Sequence, residues 1–164
     1  MAKDKVAWGI DVGQCALRAL ALRPAGDNIE VVDHAYIEHE SILSAPDVDR
    51  HALLSKSMHK LLDEHELANA TIGVSIPGRH TLARFTKLPP VDARKLPDLV
   101  QYEAQQQIPF DLADVLWDYQ VFTDESGTGP EVGIFAMRRD LLRDHLGVFS
   151  EVGLEPTVVQ SAPL

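Results

Sequence analysis

Asp11, Gly13 and Arg18 are the residues whose types and spacing could do chemistry together. They lie in Asp11-Val12-Gly13-Gln14-Cys15-Ala16-Leu17-Arg18, between two runs that read as strands. Gly13 has no Cβ, so backbone N–H groups beside it can approach a phosphate closely. Asp11 could hold a magnesium ion through water. Arg18, on the second strand, could reach a phosphate oxygen. Gln14, Cys15 and Ala16, which follow the glycine, carry no hydroxyl donor, and that weakens a nucleotide reading. An Asp-x-Gly between strands is also common in plain tight turns. Both readings stay open at this point.

Elsewhere no catalytic constellation forms. His34, His39, His51, His59, His65, His80 and His145 are scattered, and the pairs 51/59 and 59/65 lack the i, i+4 spacing of helical zinc ligands. They read as surface or half-buried histidines. Ser75 lies outside a Gly-x-Ser-x-Gly elbow. Cys15 is the only cysteine, so there is no internal disulfide; it reads as packed against the third strand. Trp8 and Trp117 read as core and interface residues. These residues give no expectation of catalysis in this chain.

The elements that must position these residues follow from pattern. Residues 6–10, 16–22 and 29–37 read as strands joined by short turns, so successive pairs run antiparallel. After a loop at 41–46 comes a helix, with Asp47 or Asp49 as its N-cap. Leu54, Met58, Leu61, Leu62 and His65 share one of its faces, and it ends before Asn69. Residues 71–76, TIGVSI, suit a central strand covered on both faces, and the helical crossover lets it lie parallel to a neighbour. Pro77-Gly78 stops it. Residues 81–87 form a further strand, and Leu88-Pro89-Pro90 is an entry hinge. The start of the next helix is open. Asp92 can cap it, or 92–96 can turn separately with Pro97 in the first turn of a later helix.

Residues 99–122 organise the rest. Leu96, Val100, Ala104 and Ile108 recur every four positions on one helical face. Pro109 ends that helix near Gln107, and Phe110 is expected to fold back onto it as an apolar anchor. An acidic loop at 111–114 leads to a strand at 116–122. Residues 123–130 read as a turn and 131–137 as the returning strand of a hairpin. A helix at 138–152 carries Leu141, Leu142, His145, Leu146 and Phe149 on one side, with Gly153 as its C′ residue. Residues 156–160 read as another strand. The chain is thus an α/β protein in three parts. Residues 1–78 form a β-β-β-α-β subdomain, 79–152 an inserted α+β subdomain, and 153–164 a return to the first. Ending just after a strand signal, it reads as the first half of a longer protein.

The formal net charge of −10 argues against non-specific nucleic-acid binding. The segment 79–95 is an exception, with Arg79, Arg84, Lys87, Arg94 and Lys95 against Asp92 alone. It reads either as a solvated face or as a docking surface for an acidic partner or a headgroup layer. No run approaches the ~20 apolar residues of a membrane span, and the N-terminus has no signal-peptide core. A cytoplasmic address is the expectation.

The run Tyr-Glu-Ala-Gln-x-x-Ile-Pro-Phe at 102–110, followed by Trp-Asp-Tyr-Gln-Val at 117–121, resembles the type IV pilus assembly protein PilM family. That family has an actin-like ATPase (ribonuclease H-like) fold and is related to the cell-division protein FtsA. The β-β-β-α-β order with Asp-x-Gly after the first strand is similar to the opening of that fold. The resemblance extends to Leu164. It implies that Asp11, Gly13, Gln14, Cys15 and Arg18 form a first phosphate loop for ATP, with Asp11 toward Mg²⁺, in the intact protein. Arg18 departs from the usual lysine. The resemblance also implies a scaffold in a pilus assembly machine, working with its other components at the cytoplasmic face of the inner membrane. It would be held there through the cytoplasmic tail of a PilN-like partner, docked near Ser75, Arg79 and Arg84 where the insertion meets the first subdomain. The alternatives are the cytoplasmic domain of a type II secretion protein L and an actin-like ATPase or kinase relative.

Overall fold

The computed structural model describes residues 6–122 and 129–162. The turn expected at 123–130 lies mostly outside them. The chain divides into two units, Met1–Gly78 with Asp144–Leu164, and Arg79–Arg143.

In the first unit, β1 (Ala7–Val12), β2 (Ala16–Ala25) and β3 (Asn28–Glu38) form the expected antiparallel meander. The helix α1 (Arg50–Glu64) follows, and β4 (Thr71–Ile76) then lies parallel to β1. A last short strand, Val158–Ser161, pairs parallel with β4, so β4 is interior to a five-stranded sheet. Asp49, not Asp47, caps α1: its carboxylate accepts from the Ala52 N–H at 3.0 Å. Asp47 instead adopts a left-handed backbone, φ 64°. Trp8, Ile10, Val12, Ile72, Val74 and Ile76 are buried, with Leu54, Met58 and Leu61 from α1. Alternation in β1 and β4 therefore leaves Asp11 and Ser75 on the opposite, more open face.

In the second unit, β5 (Thr81–Lys87), β6 (Val115–Phe122) and β7 (Glu131–Arg138) form an antiparallel sheet with β7 in the middle. Against it packs α2 (Leu96–Gln107), through Val100, Ala104 and Ile108 onto Leu88, Val115, Val132, Ile134 and Ala136. The late helix start is the one observed. The Lys95 N–H closes a turn onto the Asp92 carbonyl, and Pro97 sits in the first turn of α2. Gly129, φ 109°, lies so close to the Leu88 carbonyl that a Cβ would come within 2.2 Å of it. Beside it the Leu88 N–H bonds the Pro130 carbonyl.

The helix α3 (Arg139–Glu151) runs across the division between the units. It buries His145, Val148 and Phe149, while Leu141 is exposed, which corrects the apolar face expected for it. Leu141 shares the stripe of His145 and Val148 at i, i+4 and i+7, but it lies in the first turn of α3, and the buried residues begin at His145. Gly153 has the left-handed φ of 77° expected of a C′ residue.

Phe110 does not fold back onto α2. It is 46% exposed, because Ile108 already closes the end of the helix onto the core. Its ring faces the Arg138 guanidinium instead, with Cζ 5.8 Å from the ring centroid.

Candidate functional site

Asp11 was expected in a loop but is the penultimate residue of β1, so sheet register fixes its neighbours. It stands opposite Arg18 on β2 and opposite Ser75 on β4, and Ser75 stands opposite Gln160 on the last strand. Residues directly opposite project to the same face. The outcome is a polar row at the carboxyl ends of three parallel strands, the place where open α/β sheets receive ligands.

Within the row, Arg18 Nη2 lies 2.8 Å from Asp11 Oδ2, and the Ser75 hydroxyl donates to Asp11 Oδ1. The Arg18 side chain is 61% exposed, so its guanidinium is accessible from outside. The turn after β1 is tight. The Gly13 N–H bonds the Ala16 carbonyl at 3.0 Å, and a Cβ at Gly13 would sit 2.9 Å from that oxygen and 3.1 Å from Arg18 Nη2. Only glycine fits there without a shift of the backbone or of Arg18.

The segment after β3 pins this turn from behind. The His39 N–H bonds the Cys15 carbonyl, and the Leu43 N–H bonds the Gln14 carbonyl. The His39 ring donates from Nε2 to the Gly13 carbonyl at 3.3 Å, and its Nδ1 lies 2.8 Å from Ser57 Oγ on α1. Burial pushes the His39 pKa below the ordinary histidine value, partly opposed by the bond to Gly13. Gln14 Oε1 is buried with no hydrogen-bond partner among the described residues.

The sequence-predicted site residues thus separate into two groups. Asp11, Gly13, Gln14, Cys15 and Arg18 belong to one turn and its flanking strands, and Ser75 joins them through Asp11. Arg79 and Arg84 belong to the second unit. Arg79 Nε bonds the ring of its neighbour His80, and Arg84 Nη1 bonds the Ala83 carbonyl. Cys15 is exposed and does not pack against β3, because its backbone carbonyl, not its side chain, meets that segment. His39 and Ser57 were not singled out by sequence reasoning. They are neighbours only through the packing of α1 on the sheet, and no spacing rule reports that. His145, expected at the surface or half-buried, is buried, with Arg50 Nη2 3.4 Å from its Nδ1.

What these residues offer a phosphate group is the accessible Arg18 guanidinium at the carboxyl ends of the strands. They offer a metal less. Asp11 already has the Arg18 cation as its partner, and among the described residues no group of three acidic, histidine or cysteine side chains could hold a metal ion.

A family model for the type IV pilus assembly protein PilM matches residues 9–162. The chain belongs to the PilM family. Among solved structures, a PilM–PilN type IV pilus biogenesis complex is similar at 22% identity and TM-score 0.73, over 96% of this chain and 47% of that one. The cytoplasmic domain of EpsL, an inner-membrane component of the Vibrio cholerae type II secretion system, is similar at 14% identity and TM-score 0.60. That likeness covers 94% of this chain and 56% of that one. The chain therefore spans about half the length of the structures it matches. No curated protein matches it. These likenesses show a shared α/β fold over nearly the whole of this chain. Among the described residues no helix is long and apolar enough to cross a membrane.

Proposed function

We propose that this PilM-family chain is the part of a type IV pilus scaffold that engages the cytoplasmic tail of a PilN-like inner-membrane protein. The observation that carries this reading is the family match across residues 9–162, together with the likeness to a PilM–PilN complex over nearly the whole chain. On this reading the protein works in the cytoplasm and reaches the inner membrane through its partner, alongside the other components of the assembly machine.

The intact protein would also take a nucleotide at the Asp11–Arg18 turn. Arg18 and the backbone around Gly13, Gln14 and Cys15 would hold phosphate, and Asp11 would face a magnesium ion through water. A nucleotide there would supply a compact polyanion for the exposed Arg18 guanidinium. What this chain's own residues do is orient that anion: Ser75 holds the Asp11 carboxylate in place, and His39 holds the Gly13 carbonyl. The reading treats the nucleotide as a structural ligand of a scaffold.

Pull-down of membrane partners with the full-length protein tests the proposal. Recovery of a PilN-like protein supports it. Recovery of type II secretion components in its place overturns it.

A further inference from the structure

We infer that the open face of the β5–β7–β6 sheet is a self-docking surface, on which two copies of this chain meet face to face about a two-fold axis. The inference stands apart from the partner and nucleotide readings above, since it uses none of their residues.

Only one face of this sheet packs on the core of its unit. Val132, Ile134 and Ala136 of β7 point to α2, together with Val115 of β6. Side chains alternate along a strand, so Gly133 and Phe135 project to the other face. Register carries the same division to the neighbouring strands. Phe85 and Gln120 stand opposite Gly133, and Ala83 and Asp118 opposite Phe135. Lys87 and Phe122 stand opposite Glu131 in the next row. This face is open to solvent: Phe85 is 59% exposed, and Leu116 and Phe122 are exposed with it.

The centre of the face is preformed. A Cβ at Gly133 would lie 3.0 Å from Phe85 Cε1, 3.1 Å from Phe122 Cε2 and 3.1 Å from Phe135 Cζ. Three rings from three strands thus converge on the one position without a side chain, and they roof it over, so Gly133 is buried. Phe85 meets Phe135 edge-on with centroids 5.9 Å apart, and its centroid lies 6.0 Å from that of Phe122. Rings that brace one another have little freedom left to lose on docking, which lowers the cost of association. Braced aromatic clusters on an open face are where contact energy concentrates.

Charge decides the occupant. In a block of three strands and three rows centred on Gly133, Lys87 and Asp118 occupy opposite corners, and Ala83 and Phe122 the other two. Sheets packed face to face can cross at near right angles. A second copy laid on the face in that way, about a two-fold axis along the Ala83–Phe122 diagonal, sets Lys87 against the second copy's Asp118, and by symmetry Asp118 against its Lys87. The same operation sets Phe85 against Phe135, Phe122 against Phe122 and Glu131 against Gln120. Base meets acid, rings meet rings, and no like charges face each other. A lipid surface or a nucleic acid finds no such match, because this block carries two acids, Asp118 and Glu131, against the one base Lys87. Apolar area confined to a three-stranded sheet is small beside a standard interface, so the contact is weak and reversible.

Sedimentation velocity of the full-length protein over a range of concentrations tests this. Phe85→Ala, Lys87→Glu, Asp118→Lys and the double variant Lys87→Glu/Asp118→Lys are run beside the parent. The inference expects a monomer–dimer equilibrium with a dissociation constant between about 10 μM and about 1 mM. Phe85→Ala and each single charge reversal should weaken it about tenfold or more. The double reversal restores the pair with its signs exchanged, and should return the dimer to within about threefold of the parent. Thermal melts should stay close to that of the parent, because these side chains are exposed. A parent that stays monomeric at every concentration overturns the inference. So does a dimer that Phe85→Ala leaves unchanged, and so do single reversals that weaken the dimer without recovery in the double variant.

Discussion

Phe110 and Ile134 differ at the residue scale in a way that stability measurements can read. Ile134 is 1% exposed in the core of the second unit, so Ile134→Ala should cost about 2–5 kcal/mol. Phe110→Ala removes a half-exposed ring and its contact with Arg138, and should cost less than about 1 kcal/mol. Urea unfolding of the two variants checks this; equal losses would place Phe110 in a core. A Phe directly after a helix-ending Pro reads in sequence as an anchor for that helix. What sequence could not tell is that Ile108 already does the work. His39 gives a second residue-scale expectation. Burial holds its folded pKa below that of the unfolded chain, about 6.5, so the unfolded chain takes up its proton at the higher pH. The contribution of His39 is therefore complete above that value and is lost as pH falls below it. His39→Gln should flatten the decline in melting temperature between neutral and mildly acidic pH; an unchanged slope would show that another group sets it.

The elements themselves were largely legible. The meander of β1, β2 and β3, the helix α1, the boundaries of β4 and β5, and the end of α2 at Gln107 all follow from period, breaker residues and turn length. Partnerships between elements were not. The pairing of Asp11 with Ser75 depends on the parallel register of β1 and β4, and no local pattern encodes a register across sixty residues of intervening chain. The contact of His39 with Ser57 depends instead on how α1 packs on the sheet, which no local pattern encodes either. At this scale Pro109→Ala should be nearly silent. The helix is already closed by the Ile108 N–H bonded to the Ala104 carbonyl, so the denaturation midpoint should move little. Gly129→Ala should be costly, by more than about 1 kcal/mol, because its backbone is left-handed and a Cβ would strike the Leu88 carbonyl. A thermal melt unchanged from the parent would contradict that geometry.

For the whole molecule, the charged turn at Asp11–Arg18 would offer a nucleotide, on the proposed reading, one guanidinium and a few backbone groups. Such contacts do not offset the several kcal/mol that ordering a ligand costs, so this chain alone should bind Mg-ATP weakly. Calorimetry showing a low-micromolar dissociation constant would contradict this. The central claim concerns the partner. Its most direct measurement is co-purification of the full-length protein with its PilN-like protein from detergent-solubilised membranes, with the partner's cytoplasmic tail either intact or deleted. The account predicts a stoichiometric complex with the intact tail and none without it. A complex that survives deletion of the tail would contradict it.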